Sequence, residues 1–238
     1  MLISSRTFVF GGLLAAALLS APAQAEEPPP AAPAAPPALP TLTSAQTDEL
    51  VKKVQGVYDS TQTFVTTFKQ EYIVKAHNEK RNSTGTMTIA KPGKMDFSYN
   101  DPKDNRVVSD GATLRLYEAA NKQMVEQTID KAQYPAALSF LAGTGKLADT
   151  FNFIAHPGES MKFPGGVVLE GTPKQDNRTL TKVFFYIDKQ TNQVRRLVML
   201  DPQGNRNRFD FDAPRVNEPV KPETFRFTPP DGTQIIRP

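Results

Sequence analysis

The sequence has no cysteine, no tryptophan and only two histidines in 238 residues. Without cysteine the chain cannot form a disulfide, a thiolate metal site, a cysteine nucleophile or a lipid-modified N-terminal cysteine. The histidines, His77 and His156, lie far apart, and neither has a second histidine at metal-ligand spacing. We therefore expect no metal site and predict that both histidines are solvated surface residues.

Motifs that position phosphates, dinucleotides or a catalytic serine are also missing. The chain has no G-x-S-x-G elbow, no G-x-x-x-x-G-K loop and no G-x-G-x-x-G fingerprint. Asp210 and Asp212 alternate with phenylalanines, which predicts a solvated, salt-bridged exterior for these carboxylates unless the fold places them in a cleft. From the sequence we therefore predict that the protein is not an enzyme, and that it has no catalytic residue and no cofactor.

The first 25 residues have the form of a secretory signal peptide. Arg6 gives a basic start, Gly11–Leu19 form an apolar core, and Ala23-Gln24-Ala25 fits the small-x-small cleavage rule. This apolar run is shorter than the about 20 residues of a membrane span, although an uncleaved anchor is the alternative interpretation. We therefore expect export and a periplasmic location.

Composition divides the rest of the chain into a spacer and one domain. Residues 26–42 are rich in proline and alanine, which cannot bury a core and which predicts a disordered spacer. Residues 43–238 are long enough for one domain with a sizeable core. The formal net charge of +3 is mild and gives no reason to expect a nucleic-acid partner.

The pattern of apolar residues changes from helical to strand-like early in this domain. Thr43 and Gln46 fit a capping box, and apolar residues then repeat at helical spacing up to Tyr58. From Phe64 onward the period is two, with turn signals between the runs, which predicts an antiparallel meander. Only Tyr134 to Asp149 interrupts it, and a short helix is predicted over Pro135 to Ala142, ended by glycines.

Two helical segments are available to cover the apolar face of such a sheet. We therefore expect a curved sheet capped by a few helices. Its interior is either filled completely by side chains or left wide as a ligand cavity, and the apolar pattern by itself leaves both possibilities open.

Several motifs together resemble one known family, the outer-membrane lipoprotein carrier (LolA) family. The resemblance covers about residues 48 to 236, and its most specific parts are the Ser-Asp-Gly block and the terminal Phe-x-Phe. The motifs are Phe64-x-x-x-Phe68-x-Gln70, Gly85-x-Met87, Lys91-Pro92-Gly93-Lys94-Met95-x-Phe97-x-Tyr99, Ser109-Asp110-Gly111-x-x-Leu114-x-Leu116-Tyr117, Tyr134-Pro135-Ala136-Ala137-Leu138 and Phe225-x-Phe227-x-Pro229-Pro230-x-Gly232.

The resemblance implies a mainly β fold, an open antiparallel half-barrel covered by an N-terminal helix and a central helical insert. Acyl chains of lipoproteins would bind between the sheet and this lid. The in-phase apolar positions predicted to line the cavity are Phe64, Phe68, Met87, Ile89, Met95, Phe97, Tyr99, Leu114 and Leu116. The predicted lid, a mobile helix, would dock by Leu138, Phe140 and Leu141.

One position departs from the family pattern. The family's lid is held closed by an arginine immediately before a proline, and here that position is Lys91. Lysine still donates to lid carbonyls but lacks the planar fork of arginine, so we expect a weaker latch. The alternative is a solvated lysine beside a turn.

The family resemblance also implies partners. These are acylated lipoproteins as cargo, an inner-membrane release complex and an outer-membrane receptor, and we expect a monomer. Two other functions stay open at this point. One is a periplasmic sensor or regulatory module for lipids or lipoproteins, and the other is a carrier of another envelope lipid.

Overall fold

The structure, a computed structural model, describes residues 39–129, 140–175 and 178–238. The predicted signal peptide at 1–25 and most of the predicted spacer at 26–42 therefore lie outside the described residues. Two α-helices are described, α1 at Ser44–Ser60 and α2 at Leu147–Thr150. Two short 3-10 helices span Gly158–Met161 and Pro222–Phe225.

The described residues form a single sheet of twelve strands. The strands are β1 Thr63–Val74, β2 Glu79–Ala90, β3 Lys94–Asp101, β4 Arg106–Asp110, β5 Thr113–Glu118, β6 Gln123–Thr128, β7 Phe151–Pro157, β8 Gly166–Pro173, β9 Lys182–Asp188, β10 Val194–Leu200, β11 Arg206–Val216 and β12 Gln234–Ile236. Their order is β12-β6-β5-β4-β3-β2-β1-β11-β10-β9-β8-β7, so β12 and β7 are edges and the sheet is not closed. The predicted open, mainly β architecture is confirmed.

Strand pairing is antiparallel apart from the C-terminal strand. Strand β12 pairs parallel with β6, which the meander pattern did not predict. Its side chains are exposed, and its three residues are too few to show a period of two.

Helix α1 begins where the capping box predicts. The Gln46 amide donates to Thr43 Oγ1 at 3.3 Å, and the Thr43 amide donates to Gln46 Oε1 at 3.0 Å. Thr47, Val51, Val54 and Tyr58 are the buried residues of the helix, spaced by three or four positions. One stripe of α1 therefore packs on the sheet.

Residues that pair directly across neighbouring strands lie on the same face of a sheet, so the strand pairing assigns each residue to one of two faces. We call the face that packs against α1 the inner face and the other the outer face. In β1 and β2, Phe64 pairs with Ile89 and Thr66 with Met87. The buried inner-face side chains continue across the sheet in the order β3, β2, β1, β11, β10, β9, β8 and β7, and they form one apolar core with α1.

The C-terminal segment covers part of the outer face. Phe225 is buried, and the ring of Phe227 lies 5.2 Å from that of Tyr117. The guanidinium of Arg106 sits 5.2 Å above the Phe227 ring and pairs with Asp96 at 2.5 Å. The terminal Phe-x-Phe motif thus anchors the end of the chain to β3, β4 and β5.

Two sequence predictions are corrected at edge strand β7. His156 is only 5% exposed, because its Nδ1 faces the Pro40 carbonyl at 3.1 Å and its Nε2 faces Glu170 at 3.0 Å. The prediction of a solvated His156 was therefore wrong. The end of the predicted spacer also packs here, since the Leu42 amide donates to the Ala155 carbonyl at 2.8 Å. His77 lies in an exposed turn, as predicted.

Candidate functional site: the covered inner face

The structure places the nine predicted lining residues on the inner face, although not all in one cluster. Phe64, Phe68, Met87, Ile89, Met95 and Phe97 belong to the buried core, and Tyr99 packs against it. Leu114 is buried outside this cluster, and Leu116 is 37% exposed. The apolar face therefore reaches solvent towards β5, while its role in lining an acyl site stays a prediction.

The centre of the inner face is an aromatic cluster around Phe68. The Phe68 ring lies 5.7 Å from Phe97, 5.2 Å from Tyr99 and 5.8 Å from Phe209, each measured between ring centroids. Gly85 stands opposite Phe68, and a Cβ atom there would lie 2.8 Å from the ring. The glycine of the Gly-x-Met motif therefore makes room for the ring of Phe68.

A polar chain closes one end of this apolar layer. The Tyr99 hydroxyl donates to Gln70 Oε1 at 3.2 Å, and Gln70 Nε2 donates to Asn207 Oδ1 at 3.0 Å. Burial raises the pKa of Tyr99 to about 12, so its hydroxyl stays a neutral donor. A pocket of about 120 Å³ opens beside this chain, lined in part by Tyr72 and Met199.

Tyr58 joins the helix, the sheet and the segment that follows the predicted lid. Its hydroxyl accepts the Val194 amide of β10 at 3.0 Å, and its ring packs edge-on against Phe140 at 4.8 Å. Burial raises the pKa of Tyr58 above its usual range. The helical spacing predicts Tyr58 only as part of the apolar stripe, although a tyrosine on a buried stripe signals a hydrogen-bond partner inside the core.

The described end of the predicted lid is a turn and not a helix. Phe140, Leu141 and Ala142 are each at most 2% exposed and belong to the core. Gly143 follows with φ of +72°, a conformation that favours glycine, and it ends the segment as predicted. Leu138 and most of the Pro135 to Ala142 helix lie outside the described residues.

Lys91 contacts the covering elements, as the latch hypothesis requires, but through a different carbonyl. Its Nζ donates to the Tyr58 carbonyl near the end of α1, while its aliphatic stem lies against Gly143. Burial lowers the pKa of Lys91. The expected acceptor was a carbonyl of the central insert, whereas this bond ties β2 to the N-terminal helix, where the C-terminal carbonyls of a helix favour a cation.

The Ser-Asp-Gly block supports the turn that carries Lys91. Ser109 Oγ donates to the Gly93 carbonyl at 3.1 Å, and the Gly93 amide donates to the Ala142 carbonyl at 3.0 Å. Gly111 has φ of +99°, and a Cβ atom there would lie 3.2 Å from the Pro92 carbonyl oxygen. The Pro92-Gly93 turn, the turn at Gly111 and residues 140–143 are therefore in direct contact. We call this unit the closure end of the inner face.

Asp110 orders this unit through its carboxylate. It accepts the amides of Ala112 at 3.0 Å and Thr113 at 2.8 Å, and it pairs with Arg115 at 2.9 Å. Burial opposes ionisation, but these hydrogen bonds outweigh it and lower the pKa of Asp110.

We expect Asp110→Asn to lower the free energy of unfolding at neutral pH by about 1 kcal/mol, since the carboxylate is partly exposed. Because the folded pKa is the lower one, the contribution is present above the unfolded value of about 3.9 and is lost as the pH falls through the folded pKa. Urea unfolding of the natural protein and of Asp110→Asn, from neutral pH down to about pH 2, measures how this contribution to the free energy of unfolding depends on pH. A difference that persists at the acid end would show that the carboxylate charge is not its source.

The inner face is closed in this structure, because side chains of α1 and of residues 140–142 pack on it. A cleft of about 730 Å³ opens on the outer face. Among the described residues no helix is long and apolar enough to cross a membrane.

The sequence is similar to those of one known family. The family model for "Outer membrane lipoprotein carrier protein LolA" matches residues 59–228. An outer-membrane lipoprotein carrier protein of Nitrosomonas europaea is 26% identical over 189 residues, covering 79% of this chain and 88% of the relative. One of Pseudomonas fluorescens is 26% identical over 203 residues, covering 84% and 94%.

A solved structure of a LolA superfamily protein from Nitrosomonas europaea is also similar. It has a TM-score of 0.44 and 8% identity, and the match covers 76% of this chain and 97% of that one. Since the family model spans well over half of the sequence, from the end of α1 to the terminal Phe-x-Phe, the chain belongs to the outer membrane lipoprotein carrier protein LolA family.

Proposed function

We propose that the protein is a periplasmic carrier that binds the acyl chains of lipoproteins against its inner face and passes them to an outer-membrane acceptor. The observation that carries this proposal is the continuous apolar inner face, which crosses the sheet from β3 through β1 and β11 to β7 and is covered by α1 and residues 140–142. The relatives named outer-membrane lipoprotein carrier proteins support the same role. The proposed function requires no catalytic step.

The energetics explain how a filled inner face accepts cargo. Each buried methylene contributes about 0.8 kcal/mol, so a long acyl chain in water costs on the order of 10 kcal/mol. In the closed structure Val51, Val54 and Tyr58 of α1 occupy the face. Acyl chains that displace these groups replace one apolar contact with another, so the net binding energy is small enough to allow release.

The proposal predicts that acyl chains reach the exposed margin of the inner face at Leu116. The natural chain lacks cysteine, so Leu116→Cys creates a unique site for an environment-sensitive dye. We expect its emission to shift to the blue and brighten when a triacylated lipopeptide binds. Lys52→Cys, on the exposed side of α1, is the matched control and should not respond.

Lipopeptide binding without a response at Leu116, or with an equal response at Lys52, would place the acyl chains elsewhere. Mass spectrometry of material that copurifies from the periplasm identifies the cargo. Triacylated protein supports the proposal, whereas free glycolipid would replace it with a carrier of another envelope lipid.

A further inference from the structure

The outer face carries a cleft of about 730 Å³ that the proposed carrier function does not use. It lies over β1, β10 and β11, and the loop at residues 163–165 forms one wall. Asp210 and Asp212 line it, and both are paired with arginines, as the sequence predicts. The volume falls within the range of about 300 to 1,000 Å³ that is usual for small-ligand sites.

Positive charge exceeds negative charge at the floor of this cleft. Asp210 accepts from Arg196 Nε at 2.5 Å and from Arg208 Nη2 at 3.1 Å. Lys69 is the direct cross-strand neighbour of Asp210 on β1, and within the described ranges no ion pair joins it to a carboxylate. Three cations therefore surround Asp210. Over the whole lining of the cleft, four cations, these three and Arg195, face three carboxylates, Asp188, Asp210 and Asp212, which leaves a net excess of one positive charge.

The excess continues into the next cross-strand row. Glu71 pairs with both Lys80 and Arg206, again two cations for one carboxylate. A second, smaller pocket of about 240 Å³ connects the rows, since Lys69 and Asp210 line it as well as the main cleft. The positive potential is thus a property of the surface and not of one side chain.

A β-bulge directs two consecutive arginines into the cleft. Val194 pairs with Ile187 and Arg196 with Tyr186, so Arg195 is an extra residue in β10. In a regular strand neighbouring side chains point to opposite faces, whereas here both arginines line the same opening. Arg195 is only loosely paired, with its Nη2 3.8 Å from Asp212, which is 84% exposed.

The wall beside these arginines is held in place by close packing. The Phe163 ring meets Tyr186 edge-on at 5.4 Å, and the Arg196 guanidinium lies 5.1 Å above the Tyr186 ring. Gly166 lies directly under Phe163, where a Cβ atom would be 2.0 Å from the ring. Arg196 is therefore oriented before any ligand arrives, fixed between Asp210 and Tyr186.

We propose that this cleft binds a phosphate monoester, free or as a lipid headgroup. Such a group carries about −1.5 to −2 charges at neutral pH, so the three cations grouped around Asp210 attract it, and its oxygens accept several hydrogen bonds. Arg196, Arg208 and Lys69 supply charged donors on the floor, and Thr84 and Asn100 line the opposite side. The site is separate from the inner face.

Calorimetry on the mature full-length chain tests the proposal, with inorganic phosphate and glycerol 3-phosphate as probes. Lys69→Gln removes a cation that holds no ion pair within the described residues, and we expect it to weaken binding of both probes about tenfold. Lys52→Gln, on exposed α1, makes the same charge change away from the cleft and should leave binding unchanged. Lipopeptide binding on the inner face should be the same in all three proteins.

Vesicles separate the two sources of the phosphate. If the site binds a lipid headgroup, the protein should cosediment with vesicles of equimolar phosphatidylcholine and phosphatidic acid. Lys69→Gln should reduce this cosedimentation, and vesicles of phosphatidylcholine alone should show none. Binding of glycerol 3-phosphate without cosedimentation assigns the site to a soluble phosphate compound. No binding of either probe, or equal weakening by Lys52→Gln, would overturn the proposal, and neither result would bear on acyl binding at the inner face.

Discussion

Replacing Phe140 with alanine is expected to shift the equilibrium between the closed and open inner face more than about 100-fold towards open. The Phe140 ring is buried between Tyr58 at 4.8 Å and Phe185 at 5.4 Å, so it joins α1 to the sheet. Truncating a buried phenylalanine to alanine costs about 3 to 5 kcal/mol. If residues 140–143 belong to a lid, that loss falls on docking and not on the folded sheet.

Hydrogen exchange distinguishes a loss of lid docking from a loss of stability of the whole sheet. We expect the amides of Gly93 and Val194 to exchange faster in Phe140→Ala, because their acceptors, the Ala142 carbonyl and the Tyr58 hydroxyl, move away when the segment and Tyr58 undock. Phe185→Ala is the matched control, since it removes the facing ring from the sheet and should lower the free energy of global unfolding. If the two variants have equal effects on global unfolding and none on local exchange, the segment is permanent core and the lid hypothesis is wrong.

Lys91→Leu is expected to shift the same equilibrium about tenfold towards open. A hydrogen bond from a charged donor contributes about 1.5 to 3 kcal/mol, and the lower end applies because the ammonium is only partly buried. Lipoprotein should still load onto the inner face. It should be handed on more slowly, because closure no longer offsets the burial of acyl chains.

Loading and transfer are measured separately with purified cargo and acceptor. Lys91→Met keeps an unbranched stem against Gly143 but loses the ammonium, so it should behave like Lys91→Leu. Lys91→Arg restores the residue expected from the family and should keep transfer at least at the natural rate. Normal transfer by both apolar variants would mean that the bond to Tyr58 does not act as a latch.

The covering elements also explain why the most specific family motifs lie near turns. Ser109 is buried on the inner face between its cross-strand partners Met95 and Leu114, and Gly111 follows in the turn after β4. Ser109 and Gly111 hold the Pro92-Gly93 turn, which in turn bonds to Ala142. The motif is therefore best understood as the support of the closure end, and Asp110 stabilises it electrostatically.

The sequence by itself determined those features that depend on neighbours along the chain. The capping box at Thr43 and the period of two from Phe64 are local, and parity then assigns Met87, Met95 and Phe97 to one face. This is why the N-terminal helix and the meander were predicted correctly. The two-residue period of apolar side chains does not distinguish a filled interior from an open one, because the same residues face inwards in both.

Only the tertiary structure decided which residues meet across long stretches of chain. Lys91 bonds to a carbonyl 33 positions away, His156 is buried by Pro40 from 116 positions away, and Tyr58 meets Val194 across 136 positions. The outer cleft depends on a bulge at Arg195 and on strand order. Such partners are fixed by how strands pair and helices dock, and these long-range contacts leave no periodic signal in the local sequence.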